Sequence, residues 1–256
     1  MKWLWLLLVA GPVCAGGIAP DELDRLPAAD IYIVGEVHGN KLHHANQARA
    51  MAAIRPRAVV WEMLGPDQAA AVVSEAGRAE MDSAIGWTGS GWPDFLMYYP
   101  IFAASGSARH YGADVPRENL LRAMEGEVVI AGHGLEVPLS LQAQGEAEAE
   151  MATAHCGVLP GAALPGMVAA QRLRDASLAQ TAVRAMQDTG GPVVVITGSG
   201  HARSDTGVPQ VLGRVAPLVR VLSVGQVEGD AGHDQPFDLW LATPAGAGPD
   251  PCDAFR

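Results

Sequence analysis

Basic residues are scarce in this chain. Lys and Arg number 17 against 28 Asp and Glu, and the formal net charge is −11 with His neutral. A protein that holds nucleic acid presents a basic face to phosphate, so this balance argues against such a partner. There is no internal repeat and no HExxH zinc pair. No apolar run is long enough to span a bilayer, and Ser199 does not sit in a GxSxG elbow. The turn Gly198-Ser199-Gly200 has no lysine after it, so it is not read as a phosphate loop.

Apolar residues make up 49% of the 256, enough for a large core in one α/β domain of moderate size or two small ones. Residues 1–15 read as a secretory signal: Lys2, an apolar core over Trp3–Ala10, and a small-residue cleavage pattern at Val13-Cys14-Ala15. The mature chain is then 16–256 and periplasmic. Lipidation at Cys14 would attach it to a membrane, but Val13 stands where a small residue is expected, which favours simple cleavage over lipidation and membrane attachment. Cys156 and Cys252 remain, and in an oxidising compartment two cysteines most simply form one disulfide.

The stretch Ile31-Tyr32-Ile33-Val34-Gly35-Glu36-Val37-His38-Gly39-Asn40 organises the rest. It reads as a doubly buried strand, a glycine-bounded turn and an Asn40 N-cap for a helix through His43, His44, Gln47 and Met51. Ala58–Met63 is a second strand ending on a carboxylate, with a short helix from Pro66 to about Glu75. Residues 77–91 read as glycine-rich loop. A helix follows from Trp92 to about Ala104, which Pro100 should disturb. Arg109–Asp114 is a third strand, 125–145 reads as loop, and Glu146–Glu150 as a solvated helix face. The longest helix runs Leu164–Gln187, then a strand at Val193–Ile196, a helix at Pro209–Val215, and late strands at Arg220–Val224 and Asp238–Leu241. The expected fold is α/β: a mostly parallel sheet flanked by helices, with a mainly helical cap at about 66–190 over the carboxyl edge of the strands.

Ligands of such sheets sit outside the carboxyl ends of the strands. Three strand ends carry Glu36 with His38, Glu62, and His201. If the strands are parallel these groups converge on one rim, where carboxylates and imidazoles suit metal binding or general acid–base work. His43 and His44 lie near the same edge, one expected to face the site and the other solvent. Arg172 and Arg174 on the long helix are candidates for an anionic ligand. A tyrosine phenolate can bind ferric haem iron, but on the residues alone Tyr98 and Tyr99 read as core packing. No CxxCH occurs, which excludes covalent haem attachment.

An ordered set of short motifs spans the mature chain. It comprises Gly35-Glu36-Val37-His38 with His43-His44 and Gln47; Trp61-Glu62-Met63; Trp92 with Tyr98 and Pro100; and His155-Cys156-Gly157 with Leu164-Pro165-Gly166-Met167. It continues with Gln171-Arg172-Leu173-Arg174-Asp175 and Gly198-Ser199-Gly200-His201-Ala202-Arg203 with Gly207-Val208-Pro209. In these the chain resembles the ChaN-like haem-binding lipoproteins of the wider Tiki, TraB and erythromycin-esterase-like group. The resemblance implies non-covalent haem binding in iron acquisition, by a homodimer that encloses two haems. It puts the haem-ligating tyrosine on Tyr98 of a Tyr-x-Pro pattern, with Tyr99 one residue away as the alternative. In the related esterase-like members the equivalents of Glu36, His38, Glu62 and His201 look hydrolytic or metal-binding. The second reading is therefore a hydrolase of an ester, lactone or peptide bond, with a divalent metal as an optional cofactor.

Overall fold

A computed structural model of the chain describes residues 16–73, 75–127, 131–246 and 252. The segment read as a signal, 1–15, lies outside them. Seven strands form one sheet: β1 (Gly16–Gly17), β2 (Ile31–Val34), β3 (Ala58–Trp61), β4 (Arg109–Gly112), β5 (Val193–Ile196), β6 (Val221–Glu228) and β7 (Leu239–Thr243). Their order is β1-β7-β6-β2-β5-β3-β4, and every pairing is parallel. Within one continuous register Val34 stands opposite Ile196, Ile196 opposite Trp61, and Val34 also opposite Val224. The residues just beyond these ends therefore emerge side by side.

The strands β2, β3 and β5 are apolar throughout because both of their faces are covered. Side chains alternate between faces. Tyr32, Val34, Val59, Trp61, Val194 and Ile196 pack with Met51 of α1 (Lys41–Ile54) and Ile101 and Phe102 of α4 (Phe95–Ala104). Ile31, Ile33, Ala58, Val60, Val193 and Val195 pack with Leu178 and Ala182 of α7 (Leu164–Thr189) and Leu212 of α9 (Val208–Val215). Asn40 caps α1 as expected, its side chain accepting from the Leu42 N–H. Pro100 sits inside α4 without ending it, held by Phe95, Tyr98, Ile101 and Phe102, all buried.

Several expectations need correction. Residues 77–91 are not all loop: α3 (Arg78–Ile85) occupies their first half. Gly77 is its N-cap and Gly86 its left-handed C-cap, so the glycines bound a helix that buries Met81 and Ile85. The helix after Pro66 is short, α2 (Pro66–Ala70). The weakly patterned region gives way at Leu141 to α6 (Leu141–Ala154), which buries no residue and is as solvated as its acid–alanine run suggests. As expected, the described residues of 66–190 are mainly helical, with α5 (Arg117–Met124) among them; the segment also contributes β4 to the sheet and lays α7 along one sheet face. Cys156 and Cys252 form a disulfide with Cα atoms 5.6 Å apart and a sequence separation of 96. Chain entropy assigns such a loop on the order of 4 kcal/mol.

At the sheet edge α2 is seated tightly on β4. A Cβ on Gly112 would stand 2.2 Å from the Gly65 carbonyl oxygen. Gly112→Ala is expected to cost about 1–3 kcal/mol through backbone displacement. It should appear as a lowered urea midpoint with an unchanged m-value.

Candidate functional site

Beyond β2 the chain turns at Gly35 and delivers Glu36. The turn is close-fitting: a Cβ on Gly35 would lie 2.8 Å from Ser199 Cα. Gln226, from the end of β6, donates its side-chain amide to the Gly35 carbonyl at 2.7 Å. Glu36 is buried, and three groups surround its carboxylate. Oε1 lies 2.6 Å from His38 Nδ1 and accepts from the Tyr98 hydroxyl at 2.7 Å. Oε2 lies 2.5 Å from His44 Nδ1, without the alignment of a hydrogen bond. Burial opposes the Glu36 anion, but the hydrogen bond from His38 and the adjacent His44 imidazole prevail and lower its pKa.

Beyond β3 comes Glu62, also buried. Its Oε2 accepts from the Thr197 hydroxyl at 2.7 Å and the Gly198 N–H at 2.8 Å, both just past the end of β5. Its Oε1 is 3.3 Å from His201 Nε2. His201 is carried on the single turn α8 (Ser199–Ala202), and its Nδ1 is 2.7 Å from Asp175 Oδ1 of α7. The Gln171 amide nitrogen lies 3.2 and 3.4 Å from the two ring nitrogens. Burial opposes the imidazolium, yet the charges of Glu62 and Asp175 outweigh it and push His201 up to about 10. It is a buried cation between two acids. Burial likewise opposes the Glu62 anion, but His201 holds Glu62 below the ordinary carboxylate range, while burial raises Asp175.

The two halves meet at His38 and Gly198. A Cβ on Gly198 would stand 3.1 Å from His38 Nε2 and 3.8 Å from Glu62 Oε2. Burial opposes the His38 cation, but its Glu36 hydrogen bond and the charge of Glu62 raise its pKa. The side chain is 35% exposed and rests edge-on near Trp92, with ring centroids 5.1 Å apart.

Glu36, His38, Glu62 and His201 thus occupy one rim. Asp175 and Gln171 join them, beyond the residues that the strand ends point to. Their only signal was membership of the Gln171–Asp175 motif, because nothing in a helical pattern says which turn faces a strand end. His43 and His44 are both buried, so neither faces solvent. His43 accepts from the Val37 N–H at 2.8 Å and contacts Thr243 Oγ1 at 2.7 Å, and burial lowers it to about 4. Tyr98 is fully buried, and burial with the Glu36 charge raises its phenol far above the ordinary value. Tyr99 donates to the Ala76 carbonyl at 3.1 Å. Arg174 lies 4.0 Å from Asp114, and Arg172 donates to the carbonyls of Gly134 and Val137. Among the described residues no group of three or more His, Cys, Asp or Glu is arranged to hold a metal ion.

A family model described as "Haem-binding uptake, Tiki superfamily, ChaN" matches residues 23–212. The chain belongs to the ChaN family of haem-binding uptake proteins. The match takes in both carboxylates and all the rim histidines of this ChaN-family chain. Among solved structures it is similar to ChaN of Campylobacter jejuni, described as binding haem cofacially, at 17% identity and TM-score 0.66 over 86% of this chain and 89% of that one. It is more distantly similar to an erythromycin esterase in an open conformation, at 13% identity and TM-score 0.41 over 78% of this chain and 70% of that one. A Bacillus cereus protein gives 13% identity and TM-score 0.41 over 82% and 70%. No curated protein matches the sequence. Among the described residues of this family member no helix is long and apolar enough to cross a membrane.

His201 has a folded pKa raised from 6.5 to about 10. Its contribution to stability is complete below pH 6.5 and is lost as pH rises through 10. In His201→Ala that alkaline loss should disappear from a series of urea melts. At neutral pH the variant should be destabilised by about 3–5 kcal/mol, since Glu62 and Asp175 are left buried without their cation.

Proposed function

We propose that this chain binds haem non-covalently as cargo, as an exported, periplasmic protein of iron acquisition working as a homodimer. The observation that carries this reading is the family match over residues 23–212, which spans the whole Glu/His rim. Haem supplies the ferric iron to be carried; the chain supplies an axial donor and an apolar surface for the macrocycle. Ligation through Tyr98 or Tyr99 asks each phenol to leave an oxygen it already bonds, Glu36 for Tyr98 and the Ala76 carbonyl for Tyr99. Hemin added to the purified protein is expected to give a saturable Soret change at micromolar concentration. A flat titration would remove the reading.

A second reading is favoured by the rim itself. Two ionised carboxylates with imidazoles on one edge are a general acid–base constellation for ester, lactone or peptide hydrolysis. In it His201, protonated between two acids, polarises the carbonyl or protonates the leaving group, and a rim carboxylate accepts the proton of water. An esterase screen with small acyl esters is expected to show activity that drops at least tenfold in the His201→Ala, Glu36→Gln double variant. Undiminished turnover in that variant rules hydrolysis out.

A further inference from the structure

We propose that the cavity between α6 and α7 is a binding site for a short aliphatic carboxylate, with the head group on Arg172. The site lies apart from the strand-end rim, and the inference goes beyond both readings above.

α6 buries no residue. Its apolar side chains Ala147, Met151 and Ala154 line a cavity of about 190 Å³, together with Leu139 and with Val168 of α7. Apolar faces close on each other where they can, because water exclusion and dispersion both favour it. Here the helix is fastened at its ends and edge instead. The Ser140 hydroxyl accepts from the Ala143 N–H at 3.1 Å, Glu150 pairs with Arg203 at 3.2 Å, and the Cys156–Cys252 disulfide follows the last turn. The gap is therefore built into the fold. Glu150 and Ala154 are exposed, so the cavity reaches solvent beside the helix.

Size and lining select the ligand. An apolar cavity of about 150 Å³ accepts benzene, whereas drug-sized molecules occupy about 300–1,000 Å³. At about 190 Å³ this one takes a chain of a few carbons and is too small for a porphyrin. Its apolar wall is aliphatic, with no Phe, Tyr or Trp among the described lining residues.

The charges point to the head group. Among the described residues four charged side chains line the cavity: Glu150, Arg172, Asp175 and Arg203. Glu150 is paired with Arg203, which also binds Asp205 at 2.6 Å, and Asp175 is 2.7 Å from the His201 ring. Arg172 is left over. It is partly buried, and it donates only to the carbonyls of Gly134 and Val137, at 2.9 and 2.8 Å. Among the described residues it makes no ion pair. Val137 is two residues from Leu139, which puts the guanidinium at that end of the cavity. A cation held by neutral acceptors gains from an anion, and the planar guanidinium fork matches a carboxylate. An aliphatic wall with one unpaired guanidinium at its end is the complement of a short fatty acid.

The test is isothermal titration calorimetry on the purified protein with sodium hexanoate, for which saturable binding is expected. From butyrate through pentanoate to hexanoate, affinity should rise about fourfold for each methylene buried. Hexan-1-ol and hexylamine keep the chain and lose the anion, and should bind at least about tenfold more weakly. Arg172→Gln should lower hexanoate affinity at least about tenfold and leave that of hexan-1-ol unchanged. Ala147→Phe fills the cavity from a helix that buries no residue, so it should abolish binding with the circular dichroism spectrum unchanged. It decides the matter even where Arg172→Gln does not fold. No saturable heat with hexanoate, hexan-1-ol bound as tightly as hexanoate, or hexanoate affinity unchanged in either folded variant would overturn the inference.

Discussion

An ionised carboxylate taken out of water must be surrounded by donors or it will be neutralised. Among the described residues Glu36 and Glu62 are buried at the ends of strands that share β5 as their neighbour, and Asp175 of α7 is buried beside them. Much of the surrounding architecture answers that demand. Glu36 is met by imidazoles from its own turn and from α1, and by a phenol from α4. Glu62 is met by the backbone and hydroxyl donors after β5 and by His201. Asp175 reaches in from α7 to balance His201 in turn. Helices from both faces of the sheet are thereby tied to one rim.

The glycines at this rim have a common cause. At Gly35 and Gly198 the issue is proximity, since a side chain would strike Ser199 in the first case and press on His38 in the second. His38 occupies the gap, drawn by Glu36 through a hydrogen bond and by Glu62 through charge, and it is the rim imidazole that solvent reaches.

This arrangement recasts the aromatic helix α4. A Tyr-x-Pro family pattern runs through its Tyr98. In the folded chain Tyr98 closes the inner side of the Glu36 cluster, among the tilted rings of Trp87, Phe95 and Phe102. A phenol beside an anionic carboxylate keeps its proton. In this structure the Tyr98 hydroxyl is held by the Glu36 carboxylate.

Much was legible before any coordinates. The runs Ile31–Val34, Ala58–Trp61 and Val193–Ile196 announce themselves as parallel strands because a strand covered on both faces has no polar positions to alternate. That alone put Glu36, Glu62 and His201 on a shared edge. Residues 77–85 resemble a loop in sequence because glycine marks both loops and helix ends, and a short helix offers too few turns for its buried Met81 and Ile85 to stand out. Local pattern carries strand identity, polarity and which residues follow each strand, since these depend on neighbours along the chain. The pairing of His201 with Asp175, the burial of His43 and His44, and the exposure of His38 alone were decided only in three dimensions. Each depends on where a distant helix comes to rest, and no spacing of residues encodes that distance.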